Sequence, residues 1–191
     1  MMSRRRVEIV ILCEDVQHRA FAKGLFESRG FRKIRFLPIP MGKGAATQYV
    51  YKCYPERVKA YRFLANRNKF AHALAVFVDA DKKSVQDRLS ELDKKLVKND
   101  MPIRKIDEKI AAFIPKRHIE TWLMYLMQRN VYGKAVNEKT SYKSKYRNKY
   151  SVKDCIPYAK KFGTDICPSD SLPQNSPPSL RYACKELERV L

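Results

Sequence analysis

The chain has 191 residues, 45% of them hydrophobic, and its forty Lys and Arg against twenty Asp and Glu give a net charge of +20. That length suits one domain, or a domain with a small appendage, and the apolar fraction excludes general disorder. No apolar run approaches the about 20 residues that span a bilayer, and the charge excess favours a polyanionic partner, nucleic acid above all. A basic surface that aids solubility, or meets an acidic protein, is the plainer alternative.

In chain order, the first half alternates between strand and helix patterns. Val7–Cys13 is an apolar strand candidate, and Glu8 within it spoils a signal-peptide reading, so a cytoplasmic protein is expected. Gln17–Ser28 reads as a helix with Phe21, Leu25 and Phe26 on one face and Gly30 as its stop. Lys33–Pro40 is a short second strand, placed towards an edge by its prolines. A Gly42-Lys-Gly44 loop precedes a basic helix from Thr47 to Leu64. The run 73–78, Ala-Leu-Ala-Val-Phe-Val, reads as a strand buried on both faces. A charged helix over Ser84–Lys98, a strand over Lys109–Ile114 and a helix opened by Pro115-Lys-Arg-His118 complete the series. This order predicts an α/β fold, a mostly parallel four-stranded sheet with helices on both faces.

Beyond residue 130 the character changes to a basic, mainly helical and loop-rich C-terminal extension. Residues 139–161 hold eight Lys or Arg, one Asp and four tyrosines, with Tyr142, Tyr146 and Tyr150 at helical i+4 spacing. Such a stripe more commonly packs on a core than stacks on bases. A Pro/Ser-rich segment from Pro168 to Ser179 reads as a loop, and Ser179–Leu191 as a closing helix. The expected division is a catalytic domain over 1–130 and an extension over 131–191 packed on that same domain. Five cysteines, odd in number and without a Cys-x-x-Cys pair, argue against a disulfide framework and a structural zinc site.

Chemistry concentrates where the apolar strands end. Asp79-Ala-Asp81 follows the central strand, where open α/β sheets place ligands, and residues i and i+2 of an extended segment point the same way. Glu14 follows the first strand, and Glu120 lies in the first turn of the helix after the fourth. Parallel strands bring all four acids to one edge, where clustered carboxylates need a cation, and an all-oxygen set suits Mg²⁺ or Mn²⁺. Each acid also has a plain reading: Asp79 and Asp81 as a turn and cap, Glu14 as a loop acid, Glu120 as a partner of the helix dipole. His18 and His118 invite a proton-transfer role; the plainer readings are a polar surface residue near a helix start for His18 and a neighbour of Glu120 or a phosphate contact for His118, while His72 has no partner by spacing. Gly42-Lys-Gly44 lacks the pattern of an ATPase phosphate loop, although Lys43 can serve a phosphate.

Strand–Glu followed by strand–Asp-x-Asp resembles the Toprim fold of topoisomerases, primases and a group of nucleases. The segment 114–123, Ile-Pro-Lys-Arg-His-Ile-Glu-Thr-Trp-Leu, resembles the glutamate-bearing helix of the overcoming-lysogenization-defect nucleases and related small Toprim proteins. The similarity spans roughly residues 7–126. It implies metal binding and catalysis by Glu14, Asp79, Asp81 and Glu120, with Lys83 as a further catalytic candidate. The chain departs from many relatives after Glu14, carrying Asp15 and His18 where they have Gly and a later acid. Lys43, Lys116, Arg117, Lys143, Lys145, Arg147 and Lys149 are the candidates for nucleic-acid contacts.

The resemblance implies a Mg²⁺- or Mn²⁺-dependent endonuclease acting on DNA, or on structured RNA such as tRNA. It also implies a separate ATPase subunit and a role in defence against phage or plasmids; self-association is left open. The rival expectation is a non-catalytic module that holds nucleic acid or an ATPase. A primase or topoisomerase fits less well, since the chain has neither a zinc-binding segment nor a recognisable nucleophilic-tyrosine module.

Overall fold

A computed structural model of the chain describes residues 5–40, 46–68, 71–128, 136–167, 172 and 176–191. Four strands form an all-parallel sheet: β1 (Arg5–Cys13), β2 (Phe31–Phe36), β3 (His72–Phe77) and β4 (Ile110–Phe113), in the order β2-β1-β3-β4. The helices are α1 (Val16–Ser28), α2 (Ala46–Arg67), α3 (Val85–Val97), α4 (Ile119–Gln128), α5 (Lys143–Arg147), α6 (Cys155–Lys161) and α7 (Pro178–Val190). The α/β class is as expected, and the architecture is consistent with a Toprim-like fold. The second strand is an edge strand, but it ends before the prolines at 38 and 40, which cannot supply ladder N–H groups.

Register aligns the carboxyl ends of the strands. Cys13 pairs with Phe77, and Phe77 with Phe113, so the residues that follow β1, β3 and β4 leave the sheet at one level. Alternation along each strand then divides two cores. Ile9, Ile11, Ala75, Phe77 and Phe113 face α1, α4, α6 and α7, where Phe21, Trp122 and Phe162 pack. Leu12, Leu74, Val76 and Ile114 face α2 and α3, against Tyr54, Val58 and Leu92. Burial on both faces is why the strands read as unbroken apolar runs.

Local chemistry fixes the helix ends. Asp15 caps α1, its carboxylate accepting from the N–H groups of Gln17 and His18, each at 3.0 Å. Gly30, at φ 84°, takes the left-handed conformation that follows the C-cap Arg29. Ser84 and Asp87 form a reciprocal capping box on α3.

The C-terminal part belongs to the same core. Along α1, Gly24 lets α6 approach so closely that a Cβ there would lie 2.7 Å from the carbonyl oxygen of Ile156. The predicted tyrosine stripe is only partly helical, since α5 spans five residues. Tyr146 is fully buried, its ring 5.1 Å from that of Tyr150, so these tyrosines pack. Most of the Pro168–Ser179 segment lies outside the described residues.

The outer edge of β4 is capped by α7. Ala112 N–H donates to Glu186 Oε2 at 2.6 Å, while Arg104 and Arg189 donate to the carbonyl of Ile110 at 3.1 and 3.0 Å. Arg104 and Glu186 are themselves a buried ion pair. These bonds satisfy an edge that would otherwise be open to another chain.

One expectation is corrected: Cys167 and Cys184 form a disulfide, with Cα atoms 4.9 Å apart. The two positions are distant in sequence and meet only because α7 returns across the segment after α6. The pairing was invisible to cysteine counting.

Two stability outcomes follow. Glu186→Ala should cost roughly 3–5 kcal/mol in urea unfolding, because it strands a buried guanidinium and a backbone N–H. Reduction of the disulfide should lower stability by about 3 kcal/mol in the same assay, from the loop closure it removes.

Candidate functional site

The site is built from what leaves the ends of β1 and β3. Glu14 follows β1 directly, and Asp79 lies two residues beyond β3; both are buried, at 6% and 5% exposure. Asp79 N–H donates to Glu14 Oε2 at 3.2 Å, tying the two strand ends together. The hydroxyl of Thr47, at the start of α2, donates to Glu14 Oε1. Asp79 Oδ1 accepts the N–H of Ile119, in the first turn of α4, at 3.0 Å. A carboxylate here also suits the positive end of the α4 dipole.

Two histidines converge on Asp79. His18, fully buried in the first turn of α1, places Nδ1 3.0 Å from Asp15 Oδ1 and Nε2 3.0 Å from Asp79 Oδ1. The Nε2 approach has ion-pair distance without hydrogen-bond alignment. His118 Nδ1 lies 3.2 Å from Asp79 Oδ2. His18 therefore is not the surface residue expected, and His118 contacts an acid of the site rather than only neighbouring Glu120.

Glu14, His18 and Asp79 form a buried cluster whose donor atoms lie within 4.8 Å of one another, a set that can hold a metal ion. Four of the charged groups, Glu14, Asp15, Asp79 and the His18 imidazolium, set the local balance. Three carboxylates meet one imidazolium, with the Arg147 guanidinium a further cation on Asp15 and His118 a further partner of Asp79. A metal-binding His18 must first give up a proton.

Burial and charge pull these groups in different directions. Glu14 is pushed up, first by burial and then by the neighbouring Asp79 carboxylate. Burial acts on Asp79 in the same sense, but His18 and His118 outweigh it and hold Asp79 low. Burial would depress His18, yet Asp79 and Asp15 raise it well above its ordinary value. Asp15 is only half-buried; partial burial acts to raise it, but His18 holds it below the usual carboxylate range. Burial drives the Cys13 thiol up to about 11, so it is no thiolate nucleophile at neutral pH.

The other predicted residues take different partners. Asp81, at φ 53°, is paired with Arg88 at 3.0 Å and stands 3.7 Å from His118 Nδ1. Its backbone N–H donates to the carbonyl of Arg117, itself at φ 66°, so two left-handed residues face each other beside the site. Glu120 is fully buried and accepts from Arg147 Nε at 2.7 Å. Arg147 also reaches Asp15 Oδ2 at 3.0 Å, so this nucleic-acid candidate is engaged inside the protein. Lys83 pairs with Glu91, and Lys116 donates to the carbonyls of Lys82 and Lys83. Lys145 and Lys149 are exposed, Lys143 and Arg117 half-buried, and Lys43 lies outside the described residues. A cavity of about 540 Å³, lined by residues including Pro55, Lys59, Asp100 and Met101, shares no residue with the cluster.

Sequence reading weighed His18 for proton transfer but not as a metal ligand, and it missed Arg88. The spacing Asp15-x-x-His18 at a helix start was the available signal for the first; nothing local signals that Arg88 turns inward. No described helix is long and apolar enough to cross a membrane. Comparison with family models, curated proteins and solved structures finds no match to this chain.

The raised His18 makes a signed stability prediction for the metal-free protein. Its contribution is fully present below about pH 6.5, the unfolded value, and is lost as pH rises through the higher folded value. Thermal unfolding of wild type and His18→Asn across that range should show the variant lacking this alkaline decline.

Proposed function

We propose that the chain is a divalent-cation-dependent nuclease, acting on DNA in preference to structured RNA. The observation that carries this reading is the buried Glu14–His18–Asp79 cluster at the carboxyl edge of a parallel sheet. A net charge of +20 supplies the attraction for a polyanionic substrate. Glu14, His18 and Asp79 would hold the ion, Mg²⁺ or Mn²⁺, and the imidazole in the set favours Mn²⁺. A bound ion of this kind activates water and stabilises charge on phosphoryl oxygens.

The protein's own groups prepare that chemistry. The bonds from Thr47 and the Asp79 N–H orient both oxygens of Glu14, a carboxylate that can serve as ligand or as general base. His118, joined to Asp79 Oδ2, keeps that carboxylate turned into the site. Lys116 and Arg117, on the turn before α4, and Lys143, Lys145 and Lys149, on and after α5, are the groups for phosphate contacts. We further infer a protein that works with a separate ATPase in defence against phage or plasmids, supported by the motif resemblance alone; a cytoplasmic location is supported by Glu8 in the first strand, and the Cys167–Cys184 disulfide counts against it.

A second reading is a non-catalytic module that holds nucleic acid or an ATPase. What favours it is internal neutralisation: Arg88 on Asp81, Arg147 on Glu120 and His18 on Asp79 supply cations from the chain itself.

Incubation with plasmid, linear duplex, single strands and tRNA, in Mg²⁺, Mn²⁺ or EDTA and with candidate ATPases, separates the two. Metal-dependent cleavage should fall at least 100-fold in Asp79→Ala and Glu14→Ala while nucleic-acid binding persists. Undiminished cleavage by both variants would overturn the site, and salt-sensitive binding with no cleavage would favour the module.

A further inference from the structure

Glu120 is completely buried, yet only one of its carboxylate oxygens is bonded. Oε1 accepts from Arg147, and Oε2 has no hydrogen-bond partner among the described residues. A carboxylate removed from water in this way needs a cation beside it. Arg147 is that cation, and the same guanidinium reaches Asp15 on the far side.

The two members of this contact differ sharply in access to solvent. The Glu120 side chain is 0% exposed, whereas that of Arg147 is 45% exposed. The backbone under Arg147 is anchored, because Tyr146 is fully buried beside it. The guanidinium can therefore change partners by side-chain rotation while α5 stays in place. Its fork matches phosphate as well as carboxylate, and exposed Lys145 and Lys149 flank it.

We propose that Arg147 is an exchangeable internal counter-cation that restrains the site until nucleic acid arrives. In the resting protein it occupies Glu120 and Asp15. A phosphate of the bound strand takes over the guanidinium, and Glu120 with Asp15 Oδ2 then accepts a second divalent ion, while Asp15 Oδ1 stays on the α1 terminus and His18. The cluster of Glu14, His18 and Asp79 holds one ion throughout, so this inference rests on the metal-binding reading of that cluster. Substrate itself thereby completes the site, and free metal alone leaves it half-loaded.

Mn²⁺ binding to the full chain, read by electron paramagnetic resonance, tests this without any cleavage assay. Wild type and Arg147→Lys should bind one ion, Arg147→Ala two, and Arg147→Ala with Glu120→Gln one again. A short phosphorothioate oligonucleotide should add a second protein-bound ion to wild type that Glu120→Gln does not acquire. Should Arg147→Ala fail to fold, that last comparison decides alone. One ion in every protein, with no oligonucleotide-dependent difference, overturns the counter-cation role. Absence of any ion from wild type overturns the cluster reading, and this inference with it.

Discussion

The bond from the Asp79 backbone N–H to Glu14 Oε2 is the constraint on which the rest of the site depends. It joins the ends of β1 and β3, and it exists because the parallel register brings those ends to one level. Once it is made, Glu14 cannot turn to solvent, and Asp79 must direct its own carboxylate towards α1 and α4. His18 and the Ile119 N–H are then its available partners. A single strand-to-strand contact thus places two acids, a buried imidazole and a helix terminus within a few ångströms.

Charge compensation extends outward from that point. Four acids at this edge meet a basic group of the chain: Asp79 has His18 and His118, Asp81 has Arg88, and Asp15 and Glu120 share Arg147. Glu14 differs, since its described bonds come from a hydroxyl and a backbone N–H, which are neutral donors. That difference explains why Glu14 is the acid pushed up while Asp15 and Asp79 are held low. Part of the chain's basic excess is therefore engaged by its own acids.

Apolar strands and their following acids were legible because both are local. The run 73–78 announces a strand buried on two faces, and the side chains of Ala73–Val78 are buried in fact. Strand order and register were legible only as a class, yet that sufficed to bring Glu14 near Asp79. The partners of Glu120 and Asp81 were not legible. Arg147 lies 27 residues from Glu120 and reaches it through a five-residue helix whose position is set by tyrosine packing. Arg88 sits on the charged helix α3, where a solvated side chain is the ordinary outcome, and only the fold turns it onto Tyr51 and Asp81. The disulfide was hidden for the same reason.

The helix α7 has a consequence for how the chain can be dissected. Composition shifts near residue 130, and the motif series is complete by then, which suggests a natural place to cut. Yet a fragment ending there would open the aromatic face of the sheet around Phe21 and Trp122 to water. It would also lose the Ser179 hydroxyl that accepts the Trp122 indole N–H at 2.8 Å, and Arg104 would lose its buried carboxylate. A fragment that keeps these contacts must include the closing helix. The segment that looks like an appendage is one wall of the building.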